Sequence, residues 1–220
     1  MTDEPARVAE RVGRPYVVEA VRMLEAGQGS VADIDGALES AGYAWGPLRG
    51  LDAIGLDVDL AKGDALVQAW DEVRFASPQL QRDLVAAGRL GRTSGRGFYR
   101  YATGGLADPD VIQPLTSPLT SLTAPLTSLT PLAPEHIVER LELAVINEAY
   151  RAVADGMAAP PAIDLAMRTV AGFPQGPFEL VDRLGLRALI GRLRALHEET
   201  RESSGDQYQV AELLWQMATV

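Results

Sequence analysis

Cysteine is missing from all 220 residues, which excludes disulfide frameworks, thiolate metal sites and cysteine nucleophiles. Positive charge is in short supply. Twenty Lys and Arg face thirty Asp and Glu, a net charge of -10, and backbone binding to nucleic acid needs clustered cations that this balance does not offer. No apolar run approaches the ~20 residues that span a bilayer. The opening Met1-Thr2-Asp3-Glu4-Pro5 has neither the basic start nor the apolar stretch of a signal peptide. These absences lead us to expect a cytoplasmic chain that engages neither membrane nor nucleic acid. What remains is ordinary for a soluble protein, 47% hydrophobic and 23% charged, with room for one large core or two of roughly 100 residues.

The first hundred residues read as punctuated helices. Val8, Val12, Val18, Val21 and Leu24 recur at helical spacing, and Gly27 and Gly29 end that segment. Pro15 inside it predicts a kink or break near residue 14. Ser30 is placed to cap the next helix, with Asp33 in its first turn and Gly42 beyond its end. Gly46-Pro47 puts proline at a first helical position. Gly55 then separates a short helix from a longer one, expected over about 56–73. Ser77-Pro78 opens another, which closes at Gly88. Gly91 to Gly97 has turn chemistry and ends on Phe98-Tyr99.

Residues 104–133 differ, with Leu-Thr-Ser units broken by prolines and a middle that carries no charge. Proline at that spacing resists both helix and central strand, so we expect an extended linker, its leucines resting partly in a surface groove. After it the first half returns. Val18-Glu19-Ala20 matches Asn147-Glu148-Ala149, and Ile34-Asp35 with Ala37 matches Ile163-Asp164 with Ala166. Gly46-Pro47-Leu48 matches Gly176-Pro177-Phe178, and Asp52 to Leu56 matches Asp182 to Leu186. The offset is 129 before the Gly-Pro and 130 after it, a one-residue slip in a turn. Four matches in order describe a duplicated helical domain.

Arg11, Pro15-Tyr16, Glu19-Ala20, Asp33-Ile34-Asp35, Gly46-Pro47-Leu48, Asp52 through Asp57 and Gly88 through Tyr99 together resemble the C-terminal half of 3-hydroxyacyl-CoA dehydrogenases. The second copy matches most of these but stops at Val220 without the Arg-Gly-Phe-Tyr tail. Duplicated forms resemble bacterial 3-hydroxybutyryl- and 3-hydroxyadipyl-CoA dehydrogenases. The resemblance implies an all-α fold of the 6-phosphogluconate dehydrogenase C-terminal type: two tandem five-helix units, residues 5–103 and 134–220, packed by a pseudo-twofold within the chain or arranged in a homodimer. It also implies a role in substrate binding and dimerisation, within an enzyme that oxidises 3-hydroxyacyl-CoA to 3-ketoacyl-CoA with NAD. Acyl-CoA and a Rossmann NAD-binding domain or subunit are the implied partners. The chain starts where the family's second domain starts, and no glycine-rich strand-to-helix turn is present to hold NAD. We therefore expect no cofactor, metal or catalytic residue in this chain, and inactivity when it is alone. The alternative is a stand-alone acyl-CoA-binding or helical interaction protein.

The family's helical domain contributes one active-site residue, an asparagine before the arginine. Here Glu10 holds that position and Glu139 its counterpart. An ionised carboxylate only accepts hydrogen bonds, so we read both as helix-surface residues, with Glu10 the one substrate-side candidate. His136 and His197 show no orienting partner and are read as surface residues, His197 near a helix end. Asp52, Asp57 and Asp182 are assigned to capping and ion pairs with arginines. Arg92 and Arg96 are assigned to a structural turn rather than a phosphate nest, and Trp45, Trp70 and Trp215 to packing.

Overall fold

Ten α-helices carry the described residues of the computed structural model, which are 4–102, 107–110 and 131–218. In the first copy α1 (Glu4–Glu25), α2 (Val31–Ser40), α3 (Pro47–Ile54), α4 (Leu56–Trp70) and α5 (Gln79–Ala86) follow one another. In the second come α6 (Pro134–Ala154), α7 (Pro160–Thr169), α8 (Pro177–Leu184), α9 (Leu186–Ser204) and α10 (Glu212–Ala218).

Local chemistry sets most boundaries. Ser30 and Asp33 form a reciprocal capping box at the start of α2, and proline occupies the first turn of both α3 and α8. Gly55 and Gly185 join α3 to α4 and α8 to α9 at φ of 103° and 79°, a region costly for any residue with a Cβ. The expected break at Pro15 and the expected end of α4 both fail here. α1 runs unbroken through Pro15; its flanking residues Arg14 and Tyr16 are buried, and their tertiary contacts outweigh a local cost of about 3 kcal/mol. The helix α4 stops at Trp70 and not near residue 73, because Asp71 adopts a left-handed conformation, φ 52°.

The two copies pack through their long helices. α1 lies along α6, α1 also meets α7, and α6 meets α2, the reciprocity that a twofold rotation produces. One apolar core accordingly draws on both copies, including Val12, Ala20 and Leu38 from the first and Leu141, Ala149 and Met167 from the second. Tyr43 and Phe173 occupy equivalent positions and both contact the Tyr16 ring, at centroid distances of 5.7 and 4.9 Å. The buried charges obey the same symmetry. Arg11 Nε donates to Glu148 at 2.9 Å, and its counterpart Arg140 Nε donates to Glu19 at 2.6 Å. Each pair joins one copy to the other.

The end of each copy differs. In the first, β1 (Tyr99–Tyr101) pairs antiparallel with β2 (Ala107–Pro109). This corrects the linker expectation for residues 107–109, which gain a strand partner; Asp110 then draws Arg89, Arg96 and Arg100 onto one carboxylate. Most of the proposed linker lies outside the described residues. The described residues of the second copy contain no such strand pair. A 3-10 turn at 205–208 and α10 pack there instead, held by buried Asn147, which donates to the Gln207 and Gln209 carbonyls and accepts from Ala211 N–H.

Candidate functional site

A groove of about 570 Å³ runs between α1 and α4, and its position follows from Arg14. This buried guanidinium donates to Asp59 at 2.6 Å, Ser77 Oγ at 2.7 Å and the Phe75 carbonyl at 2.9 Å. Every arm is engaged, so α4 and the turn after it are fixed against α1. Gly63 makes the approach feasible, since a Cβ there would sit 2.2 Å from Arg14 Nη2. The floor beyond this anchor is apolar, formed by Val58, Ala65, Leu66 and Trp70. Arg7, Glu10 and Lys62 make the rim, and Glu10 meets Lys62 at 3.7 Å with both side chains partly exposed.

Trp70 closes the end of the groove with Met157 of the second copy. The Arg11 guanidinium lies 3.7 Å from the indole centroid, a cation–π distance. Arg11 is itself held by Glu148 and Asp155, yet its buried Nη1 has no hydrogen-bond partner among the described residues. The arrangement offers an apolar slot, a cationic rim and one unused buried donor. It supplies no nucleophile paired with a base, and among the described residues no group of three or more His, Asp and Glu is placed to hold a metal.

The other candidates separate clearly. Glu139 pairs with Arg192 at 2.8 Å on the surface, as Glu10 does with Lys62. His136 is exposed. His197 is half-buried on α9 well before its last residue, Ser204, which corrects its placement at a helix end. Asp57 is exposed in the first turn of α4, where it complements the dipole. Among the described residues Asp52 makes neither a helix cap nor an ion pair. It is buried and accepts from the Phe98 and Tyr99 N–H groups and the Tyr101 hydroxyl, each at 2.9 Å; burial raises its pKa and those hydrogen bonds oppose the rise. Asp182, its counterpart, is exposed. Arg92 belongs to a 3-10 turn. Trp45 and Trp215 are 52% and 40% exposed, so they are not the packing residues expected, and Trp70 is the most covered of the three.

Asp35 and Asp164 carry a role that the repeat marked without explaining. Asp35 accepts from the Leu48 and Arg49 N–H groups, each at 2.9 Å, and from the Tyr99 hydroxyl at 2.7 Å. Asp164 accepts from Phe178 N–H at 2.9 Å. Each thus satisfies the open N-terminus of the next helix from a distance in sequence. A Cβ on Gly46 or Gly176 would lie 2.2 Å from that carboxylate. The recurrence of Ile-Asp before Gly-Pro was the available signal.

The family described as 3-hydroxyacyl-CoA dehydrogenase, C-terminal domain, matches the chain twice, over residues 8–101 and 136–220. The chain belongs to that family. It is similar to 3-hydroxybutyryl-CoA dehydrogenase from Escherichia coli K12, with 28% identity and a TM-score of 0.77 over 98% of this chain and 60% of that one. A second similarity is to the dehydrogenase part of multifunctional enzyme 1 from C. elegans, with 18% identity and a TM-score of 0.65 over 96% of this chain and 47% of that one. The (S)-3-hydroxybutyryl-CoA dehydrogenase from Ralstonia eutropha matches at 36% identity and a TM-score of 0.40, over 41% of this chain and 32% of that one. This chain therefore spans at most 60% of any of these three proteins.

Proposed function

We propose that this chain is the substrate-binding and dimerisation module of a 3-hydroxyacyl-CoA dehydrogenase, with its two copies standing in for the two subunits of a dimer. The observation that carries the reading is the extent of the E. coli similarity, which takes in 98% of this chain and leaves 40% of that protein uncovered (100 − 60). A separate nucleotide-binding domain or subunit fits that remainder. It would bring NAD and the base that removes the hydroxyl proton, while the helical module provides one wall of the acyl-CoA cleft.

The residues described here do not fit a dinucleotide. Their only strands are the antiparallel pair 99–101 and 107–109, and a pyrophosphate cradle needs a glycine-rich turn from a strand into a helix N-terminus. No hydride-transfer step is assigned to this chain. The net charge of -10 disfavours nucleic acid partners, and no helix among the described residues is long and apolar enough to cross a membrane. A cytoplasmic location agrees with both.

Glu10 supports a second reading, a non-redox acyl-CoA-binding or interaction protein. It stands where the family's asparagine is expected and is paired with Lys62, and a carboxylate there repels the enolate-like charge of a 3-ketoacyl group. Calorimetric titration of the chain with 3-hydroxybutyryl-CoA and separately with NADH tests the module reading. Thioester binding without NADH binding is the expected result. Tight NADH binding, or turnover that survives repurification, contradicts it.

A further inference from the structure

The groove between α1 and α4 exists twice. Its pseudo-twofold mate lies between α6 and α9, where Glu139, Arg140, Arg192 and Leu196 stand for Glu10, Arg11, Lys62 and Leu66. Even the unpartnered buried nitrogen recurs, on Arg140 Nη1, so it marks the shared plan of the two grooves and does not tell them apart.

Volume and charge do. The first groove encloses about 570 Å³ and the second about 240 Å³, while small-molecule pockets usually measure about 300–1,000 Å³. Three replacements distinguish the two grooves. Arg192 reaches Glu139 at 2.8 Å and bridges the two helices, whereas Lys62 stays 3.7 Å from Glu10. Glu199 replaces Ala69, and His136 replaces Arg7. With Arg11 and Arg140 already neutralised by their carboxylates, the first rim holds Arg7 and Lys62 against Glu10. The second holds Arg192 against Glu139 and Glu199. An anionic amphiphile is matched by the first rim and opposed by the second.

From this we infer that the first groove alone accepts the acyl thioester, and that Trp70 is the end wall that limits its acyl chain. The inference rests on the module reading and extends it to a named site and specificity. Ala61, Ala65 and Ala69 recur every four residues along α4 and leave one smooth strip. From Val58 to Trp70 that strip is about 18 Å long at 1.5 Å per residue. Trp70 is the last residue of α4, and Arg11, anchored by Glu148, stacks on its ring at 3.7 Å. The indole is therefore held across the end of the strip. Its removal opens the groove towards Met157 without disturbing the rim.

The test is calorimetric binding of free CoA, butyryl-CoA, octanoyl-CoA and palmitoyl-CoA to the full chain and three variants, each checked for helicity by circular dichroism. Ala65 and Ala195 are equivalent exposed positions, so Ala65→Trp and Ala195→Trp place the same bulk in either groove. Ala65→Trp is expected to weaken thioester binding by at least roughly tenfold, while Ala195→Trp leaves it within about twofold. Trp70→Ala is expected to raise palmitoyl-CoA affinity relative to octanoyl-CoA by a factor on the order of ten, while butyryl-CoA, too short to reach the indole, is unaffected. Thioester binding that Ala195→Trp weakens as much as Ala65→Trp, or an unchanged chain-length ranking in Trp70→Ala, overturns the inference and leaves the module reading standing. If the wild-type chain binds no thioester, both are overturned.

Discussion

Replacing Glu148 with glutamine tests whether the two copies are locked together by buried charge. The Glu148 side chain is about 1% exposed and accepts from Arg11 Nε at 2.9 Å and Arg74 Nε at 2.8 Å, with Arg151 at 3.6 Å. Glutamine keeps the shape and one acceptor oxygen but removes the charge. Three guanidiniums then lose their common counter-charge, although Asp155 and Glu72 still reach two of them. Breaking a buried pair from one side costs about 3–5 kcal/mol, which in a chain of this length lowers Tm by roughly 6–20 °C. Glu19→Gln should behave similarly, because Glu19 holds Arg140 and Gln207 from the mirrored position. Glu10→Gln is the control, since its partly exposed pair with Lys62 is worth about 0–1 kcal/mol. Scanning calorimetry of the three variants decides the matter. A Glu148→Gln protein that melts within about 2 °C of wild type would refute the idea that these crossed pairs hold the interface.

Three further predictions follow from particular contacts. Gly46→Ala should destabilise by about 1–3 kcal/mol in urea unfolding, because its Cβ would lie 2.2 Å from Asp35, whereas Gly50→Ala within the helix that follows meets open space and should stabilise by roughly 0.5–1 kcal/mol. Burial raises Asp35 to about 6 against the opposing hydrogen bonds of Tyr99, Leu48 and Arg49. Its unfolded value is about 3.9, so between these pH values the folded state holds the extra proton, and this group's contribution to stability falls as pH rises from about 4 to about 6. The loss on Asp35→Asn, measured by urea unfolding, should therefore be larger at pH 4 than at pH 7; a pH-independent loss contradicts this. Finally, Glu10→Asn should raise kcat/KM of the enzyme reconstituted with a nucleotide-binding partner by a factor on the order of ten, if about 1.4 kcal/mol of repulsion is relieved. An unchanged rate would retire Glu10 as a site residue.

Much of the fold could be read from local signals. Ser30 with Asp33, Gly46-Pro47 and the repeated Gly55 and Gly185 each fix a boundary through neighbours in the chain, and duplication needed only comparison of the sequence with itself. Partners distant in sequence were not legible. Nothing near Pro15 announces that Arg14 will be held by Asp59, Phe75 and Ser77 and keep the helix whole. Asp52 and Asp182 look alike in sequence, but among the described residues only Asp52 accepts from a later segment, at the Phe98 and Tyr99 N–H groups. Arg11 and Glu148 are 137 positions apart, and their symmetry with Arg140 and Glu19 appears only once the copies are packed. For the site, the pattern marked Glu10 but not the groove around it, because Lys62, Ala65 and Trp70 sit on α4, where no motif drew attention to them. The contrast between the two grooves depends on side-chain volume at equivalent positions, which a motif does not record.

The central claim is that this chain works as the helical half of a 3-hydroxyacyl-CoA dehydrogenase. A chimera tests it most directly, joining the part of the E. coli 3-hydroxybutyryl-CoA dehydrogenase that this chain does not cover to residues 1–220, and following NADH formation from 3-hydroxybutyryl-CoA. The chimera with Glu10→Asn, and more weakly the one with Glu10, should turn over substrate well above either part alone. A folded, NAD-binding chimera no faster than its isolated nucleotide-binding part, with either residue at position 10, would contradict the account.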